Sequence, residues 1–554
     1  MKPLYAALLA CCLVTAALPA AGQLPKLEWH KALYGNKKFN IADIRPDRRG
    51  NFYIYGEYNG TIDLDPGPGI TTFDESNGRT FFAKYDRQGN LTWARALHAD
   101  VTQWTTDNTG RIWFVSPVSG TVDFDPGPGT CEITPDGSSY CIGSIGFGGE
   151  FTGAFDTKLD KEDVSINGIT ATVGQIYIAG AFRGDIDADP GTAVRALGSN
   201  GLTDAFVAEY NDKGSLLKAF SIGGSGADLA TSVTVSPISL FVGGVFSGEV
   251  DFDPGLGTKT LHSASAGSGF LVEYESMHGT VWPCNLGKRV SQLSYHSASG
   301  NLLVSGLIGD SLDADPGPAR TMLYGVKAAD FYAISLSSGG ALRYAKAIRN
   351  EEGPTPGYMT VNANSGLFVA GACKGQLDFN GGSAGGMVSG NGLQDGYVSK
   401  YDGNGAYRYA FCIGSHNATT SSSLAISPNG AIYLAGSSTG SVDLDPGRGT
   451  AILTGASAYL AGYSDEETLR VPMQTGSPAV EIFNSNRIVY IDFSSCRLVS
   501  ATINITDIGG KTVLAATHNQ ADMRRLDLGD LPAGIYMATV TDGESRINRK
   551  IVVQ

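Results

Sequence analysis

The chain has 554 residues, more than one hydrophobic core normally supports, so several domains or a repeat assembly are expected. Apolar residues make up 42% and fall in regular runs, which excludes a disordered chain, and a net charge of −14 disfavours nucleic acid and anionic lipid as ligands. Glycine at 74 positions with only 17% charged residues fits many short strands joined by tight turns.

Residues 1–22 carry a lysine, an apolar run from Leu4 to Leu18 and a small-residue stretch ending at Gly22, the pattern of a cleavable secretory signal. A lipoprotein reading through Cys11 is the alternative, and it leaves an odd apolar stub on the mature chain. No other stretch approaches the twenty or so apolar residues of a membrane span, so no span is expected. The segment that follows, Leu27-Glu-Trp29-His-Lys-Ala-Leu33, has no partner nearby in the sequence.

Its partner is predicted at the other end of a repeat array. An acidic phrase occurs at Asp63-Leu-Asp65, Asp123-Phe-Asp125, Asp187-Ala-Asp189, Asp251-Phe-Asp253, Asp313-Ala-Asp315, Asp378-Phe-Asn380 and Asp443-Leu-Asp445, and six of the seven copies continue as Pro-Gly. The spacing of 60 to 65 residues makes each copy one structural unit. Six of the phrases are followed by a segment such as Leu91-Thr-Trp93-Ala-Arg-Ala-Leu97, and the seventh is not. Leu27–Leu33 supplies the missing piece, so the array is predicted to close on itself.

Each unit reads as four strands. In the third copy these are 170–173, 174–182, 204–210 and 215–222, with Asn-Asp-Lys-Gly and Gly-Gly-Ser-Gly turns around the last one. Four antiparallel strands in seven units predict an all-β fold, a seven-bladed β-propeller over residues 23–466 closed by its N-terminal strand. A parallel β-helix is the rival, and its shorter rungs and the split unit count against it. In the second copy a cysteine loop and the glycine-rich stretch 143–153 blur the outer strands. Cys131 and Cys141 flank a turn-rich loop, for which a local disulfide is expected in an oxidising compartment. Cys373 and Cys412 fall on strands two apart, beyond disulfide reach.

The phrase Gly-x3-Gly-x2-Asp-x-Asp-Pro-Gly, with its Phe-Val-Ala-x-Tyr and Gly-x-Leu-x-Trp-Ala strands, resembles the propeller repeat of secreted bacterial proteins labelled seven-bladed propeller repeats. Ser116, Asp310 and Asn380 depart from the pattern in the second, fifth and sixth copies.

Residues 467–478 read as a linker, and 479–554 as a small separate β domain, a β-sandwich with alternating strands. Asp507-Ile-Gly-Gly510-Lys, Leu526-Asp-Leu528, Leu531-Pro-Ala-Gly-Ile-Tyr536 and the terminal Lys550-Ile-Val-Val resemble the C-terminal sorting domain of the type IX secretion system of Bacteroidetes. The usual Pro-Asn-Pro opening is replaced by Phe483-Asn-Ser-Asn486. The resemblance implies the type IX machinery as partner, passage across both membranes, removal of the tail, and a secreted or surface-attached product.

Two chemistries compete for the acidic phrase. Paired side chains such as Asp63 and Asp65 share one strand face, and Pro-Gly then turns the chain. The aspartates can accept backbone N–H groups as Asx turns. Alternatively Asp63, Asp65, Asp123, Asp125, Asp187, Asp189, Asp251, Asp253, Asp313, Asp315, Asp378, Asp443 and Asp445 can hold Ca²⁺, if carbonyls, waters or Asp204, Asp330 and Asp395 complete a shell of six to eight oxygens. Placed on one face, the thirteen aspartates form an acidic crown that favours cations or basic partners.

Catalytic motifs are thin. Gly436-Ser-Ser438-Thr-Gly440 matches a serine-hydrolase elbow but shares its register with Gly56–Gly60, Gly180–Gly184 and Gly244–Gly248, so it reads as a repeat frame. His296 and His416 are isolated, and Trp29, Trp93 and Trp282 recur where packing explains them. The expectation is a non-catalytic surface scaffold for an extracellular glycan or protein; the alternative is a glycan-processing enzyme with acids at the channel mouth.

Overall fold

The structure is a computed structural model that describes residues 24–465 and 481–553, apart from stretches of one to eight residues of which the longest are 351–358 and 493–500. It is all-β, built of many small antiparallel sheets, with no helix among the described residues. The first sheet comprises Phe39–Pro46, Phe52–Tyr58, Thr80–Tyr85 and Leu91–Leu97, paired in sequence order. Six further sheets repeat that order, beginning with Gln103–Thr106, Val164–Thr172, Leu229–Val235, Arg289–His296, Met359–Val361 and Thr419–Ile426.

The seventh sheet has only three strands of its own and takes its fourth from the start of the chain. Lys26–Gly35 lies antiparallel to Ala458–Ser464, with Leu27 opposite Tyr463 and Leu33 opposite Ala458. The same strand continues into the first repeat, pairing Tyr34 with Asp63 and Gly35 with Ile62. Leu33 is fully buried there, among Ile41, Ile54, Ala435 and Leu460 from the first and seventh sheets.

Side chains that alternate along each strand bury both sheet faces. One core joins the first and second sheets through Phe82, Trp104 and Phe114. Others join second to third, third to fourth, fourth to fifth, fifth to sixth and sixth to seventh. The seventh and first share theirs as well.

The first strand of the third repeat is longer than the sequence pattern predicts, with Val164–Thr172 replacing the expected 170–173. A register shift between Ile166 and Gly168 hides the alternation, and equivalent shifts occur at Ile41/Asp43, Ala230/Ser232, Val290/Gln292 and Thr420/Ser422. Polar side chains at these shifts stitch neighbouring sheets. Asn167 Nδ2 donates to the Ala230 carbonyl at 3.2 Å, and Thr231 Oγ1 to the Val290 carbonyl at 2.6 Å. Ser232 accepts from the Leu293 amide at 3.0 Å, and Ser423 from the Ile44 amide at 3.3 Å.

The second repeat is regular where its sequence is blurred: Phe151–Asp156 forms its outer strand. The expected Cys131–Cys141 disulfide is absent, and both thiols are free. Cys141 sits in a central strand opposite Ser116 and Asp156, fully buried, whereas Cys131 lies in the acidic turn with its amide on Asp123. Their nine intervening residues run from the ribbon strand Glu132–Ile133 into the sheet strand Ser138–Ile145, which places the two side chains in different environments. The side chain of Cys373 lies outside the described residues.

The C-terminal part has a three-stranded sheet, Glu481–Ser485, Ile488–Asp492 and Met523–Asp527, and a four-stranded sheet in the order Thr512–His518, Ala501–Asp507, Gly534–Thr541, Arg546–Val553. Ile491 and Leu526 from the first share one core with Ile503, Val540 and Ile551 from the second.

Candidate functional site

The acidic phrases stand at equivalent places, each at the base of a short ribbon between the second and third strands of its sheet. The first aspartate ends one ribbon strand, as in Ile62–Asp63, and its partner strand is Thr72–Phe73. Asp63 Oδ1 accepts the amides of Asp65 and Thr71, both at 3.0 Å, and so closes an eight-residue loop across the turn. Asp65 Oδ1 accepts the Gly67 amide at 2.7 Å. The residue between them, Leu64, is buried, which fixes both carboxylates on the opposite side.

The pattern repeats at Asp123 and Asp125, Asp187 and Asp189, Asp251 and Asp253, and Asp443 and Asp445 with donor distances of 2.7 to 3.1 Å. In the fifth copy Asp313 holds the Asp315 amide more loosely, at 3.3 Å, and the Thr321 amide at 2.9 Å, while Asp315 holds Gly317 at 2.8 Å. In the sixth, Asp378 accepts from Asn380 at 2.9 Å. A Cβ at Gly69 would come within 2.1 Å of Asp65 Oδ2, yet the third and fifth copies carry Ala193 and Ala319 at this position and keep the turn, so the carboxylate end yields to a methyl group.

Sequence reasoning missed what the first aspartate adjoins. The outer strand of the preceding sheet pairs with the ribbon at this residue: Tyr34 with Asp63, Gly223 with Asp251, Arg349 with Asp378, and Gly414 with Asp443. The acidic turn therefore sits at the seam between repeats. Beneath it lies the tyrosine that ends the third strand. Tyr85 donates to the Leu64 carbonyl at 2.8 Å, Tyr210 to Ala188 at 3.0 Å, Tyr401 to Phe379 at 2.8 Å and Tyr463 to Leu444 at 3.0 Å. Burial first, and then the Asp65 and Asp63 carboxylates, push the Tyr85 phenol well above its usual range. Replacing Tyr85 by Phe leaves a buried carbonyl without its donor, and a loss of about 1–3 kcal/mol is expected in urea unfolding.

Asp204 does not join the neighbouring pair, Asp187 and Asp189; its Oδ2 accepts the Asn200 amide at 2.9 Å. Asp330 Oδ2 likewise accepts the Val326 amide at 2.6 Å. Asp395 lies against Gly390 and Gly414, the latter opposite Asp443. Among the described residues no three His, Cys, Asp or Glu side chains converge as cation ligands. Ser438 of the elbow-like motif is buried at the end of a central strand. His296 bonds Ser299 through Nδ1 at 2.8 Å, burial holds its imidazole below the usual range, and His416 lies outside the described residues.

The recurring aromatics of the outer strands pack on the neighbouring repeat. A Cβ at Gly89 would meet the Trp29 ring at 2.6 Å; Gly149 stands in the same relation to Trp93, Gly340 to Trp282 and Gly405 to Tyr344. These glycines have φ between 74° and 84°, so the turn needs both the left-handed backbone and the bare Cα. Trp29 and Trp93 also donate their indole N–H across the seam, to Arg87 and Phe147 carbonyls, each at 3.0 Å.

Among the described residues, two of the cavities interrupt this uniformity. One, of about 260 Å³, is lined by hydroxyl and amide side chains of the first strands of several sheets, among them Gln103, Asn167, Thr234 and Gln292, with Arg45 at its edge. Arg45 is paired with Asp43 at 3.0 Å and lies over Trp104. The other, of about 280 Å³, lies on the hairpin turns of the second sheet and its neighbours and holds Arg49, Asp107, Arg111, Glu150 and Asp212.

The family model described as the secretion system C-terminal sorting domain matches residues 485–554. In that segment the resemblance residues have structural roles: Asp507 Oδ1 accepts the Gly509 and Lys511 amides at 2.9 Å, and Tyr536 donates to Pro532 at 2.8 Å. No curated protein matches the chain. Solved structures are matched only loosely. A protein of unknown function from Bacteroides caccae is 10% identical, with a TM-score of 0.29, over 70% of this chain and 94% of its own. A Synechocystis apocarotenoid oxygenase mutant is 11% identical, with a TM-score of 0.34, over 79% and 92%. Raptor of Chaetomium thermophilum is 9% identical, with a TM-score of 0.33, over 80% and 29%. These superpositions carry no argument about this chain. The sorting domain does: it marks a protein secreted through the type IX system to the cell surface or extracellular space.

Proposed function

We propose that residues 23–466 form a seven-bladed β-propeller, joined by the linker 467–478 to the sorting domain 479–554, a β-sandwich, and that signal segment 1–22 is removed on export. The shared cores between successive sheets and the strand that runs from the seventh sheet into the first support this reading. The mature protein is a non-catalytic binding scaffold that presents its loops to an extracellular glycan or protein. The observation that carries it is the use of the repeated aspartates within their own turns, as hydrogen-bond locks at the seams. A glycosidase in the channel would instead need two acids roughly 5 to 10 Å apart and free to act.

Incubation of the secreted chain with a glycan array and with the same polysaccharides in solution tests the assignment. Binding without release of reducing ends is expected; release would sink it and favour the glycan-processing alternative. The turn-lock role has its own test. A ligand held only by the folded state raises the melting midpoint, so a calcium site predicts a lower midpoint in chelator. With the Oδ1 atoms committed to amides, the expected result is no change, and a fall reversed by added Ca²⁺ would reinstate the metal.

A further inference from the structure

In the first sheet both hairpin turns are self-sufficient. Asp47 accepts the Arg49 and Asn51 amides and, through Oδ2, the Asn51 side chain at 2.8 Å; Asp86 does the same with Gln88 and Asn90, whose side chain bonds it at 2.9 Å. The second sheet keeps the backbone of both turns, with Asp107 N on Arg111 O and Gly146 N on Glu150 O, but changes what the turns present. Trp113 Nε1 takes Asp107 Oδ2 at 3.3 Å, and arginine stands where asparagine closed the turn. In the other turn Gly146 replaces the capping aspartate and Glu150 replaces its asparagine; the Glu150 carboxylate lies over the bare Gly146. Two self-bonded amides have thus become one cation and one anion facing the same cavity of about 280 Å³.

Among the described residues Arg111 makes no ion pair within hydrogen-bonding distance, its guanidinium lying over the Trp113 ring at 5.3 Å and acting on Asp107 through its charge, while the Glu150 and Asp212 carboxylates accept no hydrogen bond. Phe147 cannot serve as a stacking platform, because the Lys84 ammonium sits 3.0 Å and the Arg49 guanidinium 4.2 Å from its ring centre. Asp107 is saturated by Thr109, Arg111 and Trp113 donors, so a ligand meets Arg111 on one side and Glu150 with Asp212 on the other, with the charge of Arg49 in the cavity wall.

We propose that this cavity binds a small zwitterion, a molecule carrying both a carboxylate and an ammonium group: a free α-amino acid or a short peptide. A simple anion would be opposed by the carboxylates and a simple cation by the guanidiniums. A neutral sugar would desolvate these charges without compensating any. The volume lies below the ~300–1,000 Å³ of pockets for drug-sized ligands, which points to amino-acid size. The proposal rests on a binding role for the protein but not on a glycan ligand.

Calorimetric titration of the full secreted chain with the common L-amino acids and with glycylglycine tests it. At least one is expected to bind, and the free acids and the dipeptide separate the two sources. N-acetylation or amidation of that ligand, and Arg111→Gln or Glu150→Gln in the protein, should each weaken binding at least about tenfold, the worth of one charge-assisted contact. An unchanged melting midpoint in both variants verifies that they fold. Absence of binding by every probe, binding that survives both substitutions, or preference for glucuronate over amino acids overturns the proposal. A positive glycan array beside negative amino-acid titrations would sink this inference and leave the scaffold reading standing.

Discussion

Deleting residues 24–35 should abolish cooperative folding of the repeat array. Seven residue pairs tie this strand to Ala458–Ser464, and two more tie it to the first repeat. It carries Leu33, fully buried, and Trp29, whose ring stacks on Phe52 at 6.2 Å and covers Gly89 and Gly462. Truncating such side chains to alanine costs ~2–5 kcal/mol each. Their combined loss, with the ladder hydrogen bonds, approaches the ~5–15 kcal/mol by which domains are stable. Deletion also bares Ala458–Ser464 as an apolar edge strand, which favours aggregation. Chemical denaturation should show a broad, low-midpoint transition for the deletion variant and a sharp one for the intact chain, with the milder Leu33→Ala between them. A synthetic peptide of residues 24–35 added in trans should restore part of the midpoint. A deletion variant that melts like the parent would show that closure contributes nothing to stability, and the ring reading would lose its physical basis.

The pairing of this strand with Ala458–Ser464 was legible because a missing element is visible in a counted repeat. Six copies of a Trp-Ala-type strand for seven acidic phrases left one vacancy, and Leu27–Leu33 was the only unclaimed match. The seams were not legible. Ribbon strands of two or three residues, such as Ile62–Asp63 and Gln376–Asp378, are too short to show a period of two. Pairing of Gly223 with Asp251 joins residues of different repeats, which no local pattern encodes. The Cys131–Cys141 bridge failed for the converse reason, since proximity in sequence says nothing about whether the intervening loop turns the two side chains together. The charged cavity lay between these cases. Arg111 and Glu150 look like ordinary surface residues until Asn51 and Asn90 are known to close equivalent turns; the signal is the departure from a structural rule, not the residues themselves. In the tail, the strand Met523–Asp527 carries no period-two signal, because Arg524 and Arg525 interrupt its apolar alternation.

Removing the Asp47 carboxylate is expected to lower stability by ~3–5 kcal/mol, the cost of leaving a buried charge without its partner. Lys84 and Asp47 are each only 2% exposed and 3.3 Å apart, between the first and second sheets. The ammonium also donates to Tyr53 Oη at 3.1 Å and rests on the Phe147 ring. Asp47→Ala strands that cation and frees the Arg49 and Asn51 amides; Asp47→Asn keeps the turn and isolates the charge effect. Desolvation of Lys84 outweighs the attraction of Asp47 and holds the ammonium down to about 8. An unfolded lysine titrates near ~10.4. Between those values the unfolded chain keeps a proton that the folded chain has released, so stability rises with pH from about 8 toward 10, where tyrosine ionisation in the unfolded chain begins to oppose it. Below about 8 the full cost of burying the charged amine is present. Lys84→Met should flatten this rise, while making Asp47 the unpaired group and so costing stability itself; the double variant Asp47→Asn with Lys84→Met should recover most of the loss. Urea unfolding of the four proteins at pH 7, 8 and 9.5 decides the matter. A parent whose stability does not climb across that interval, or a double variant no better than either single one, would mean that the two charges are not coupled through burial.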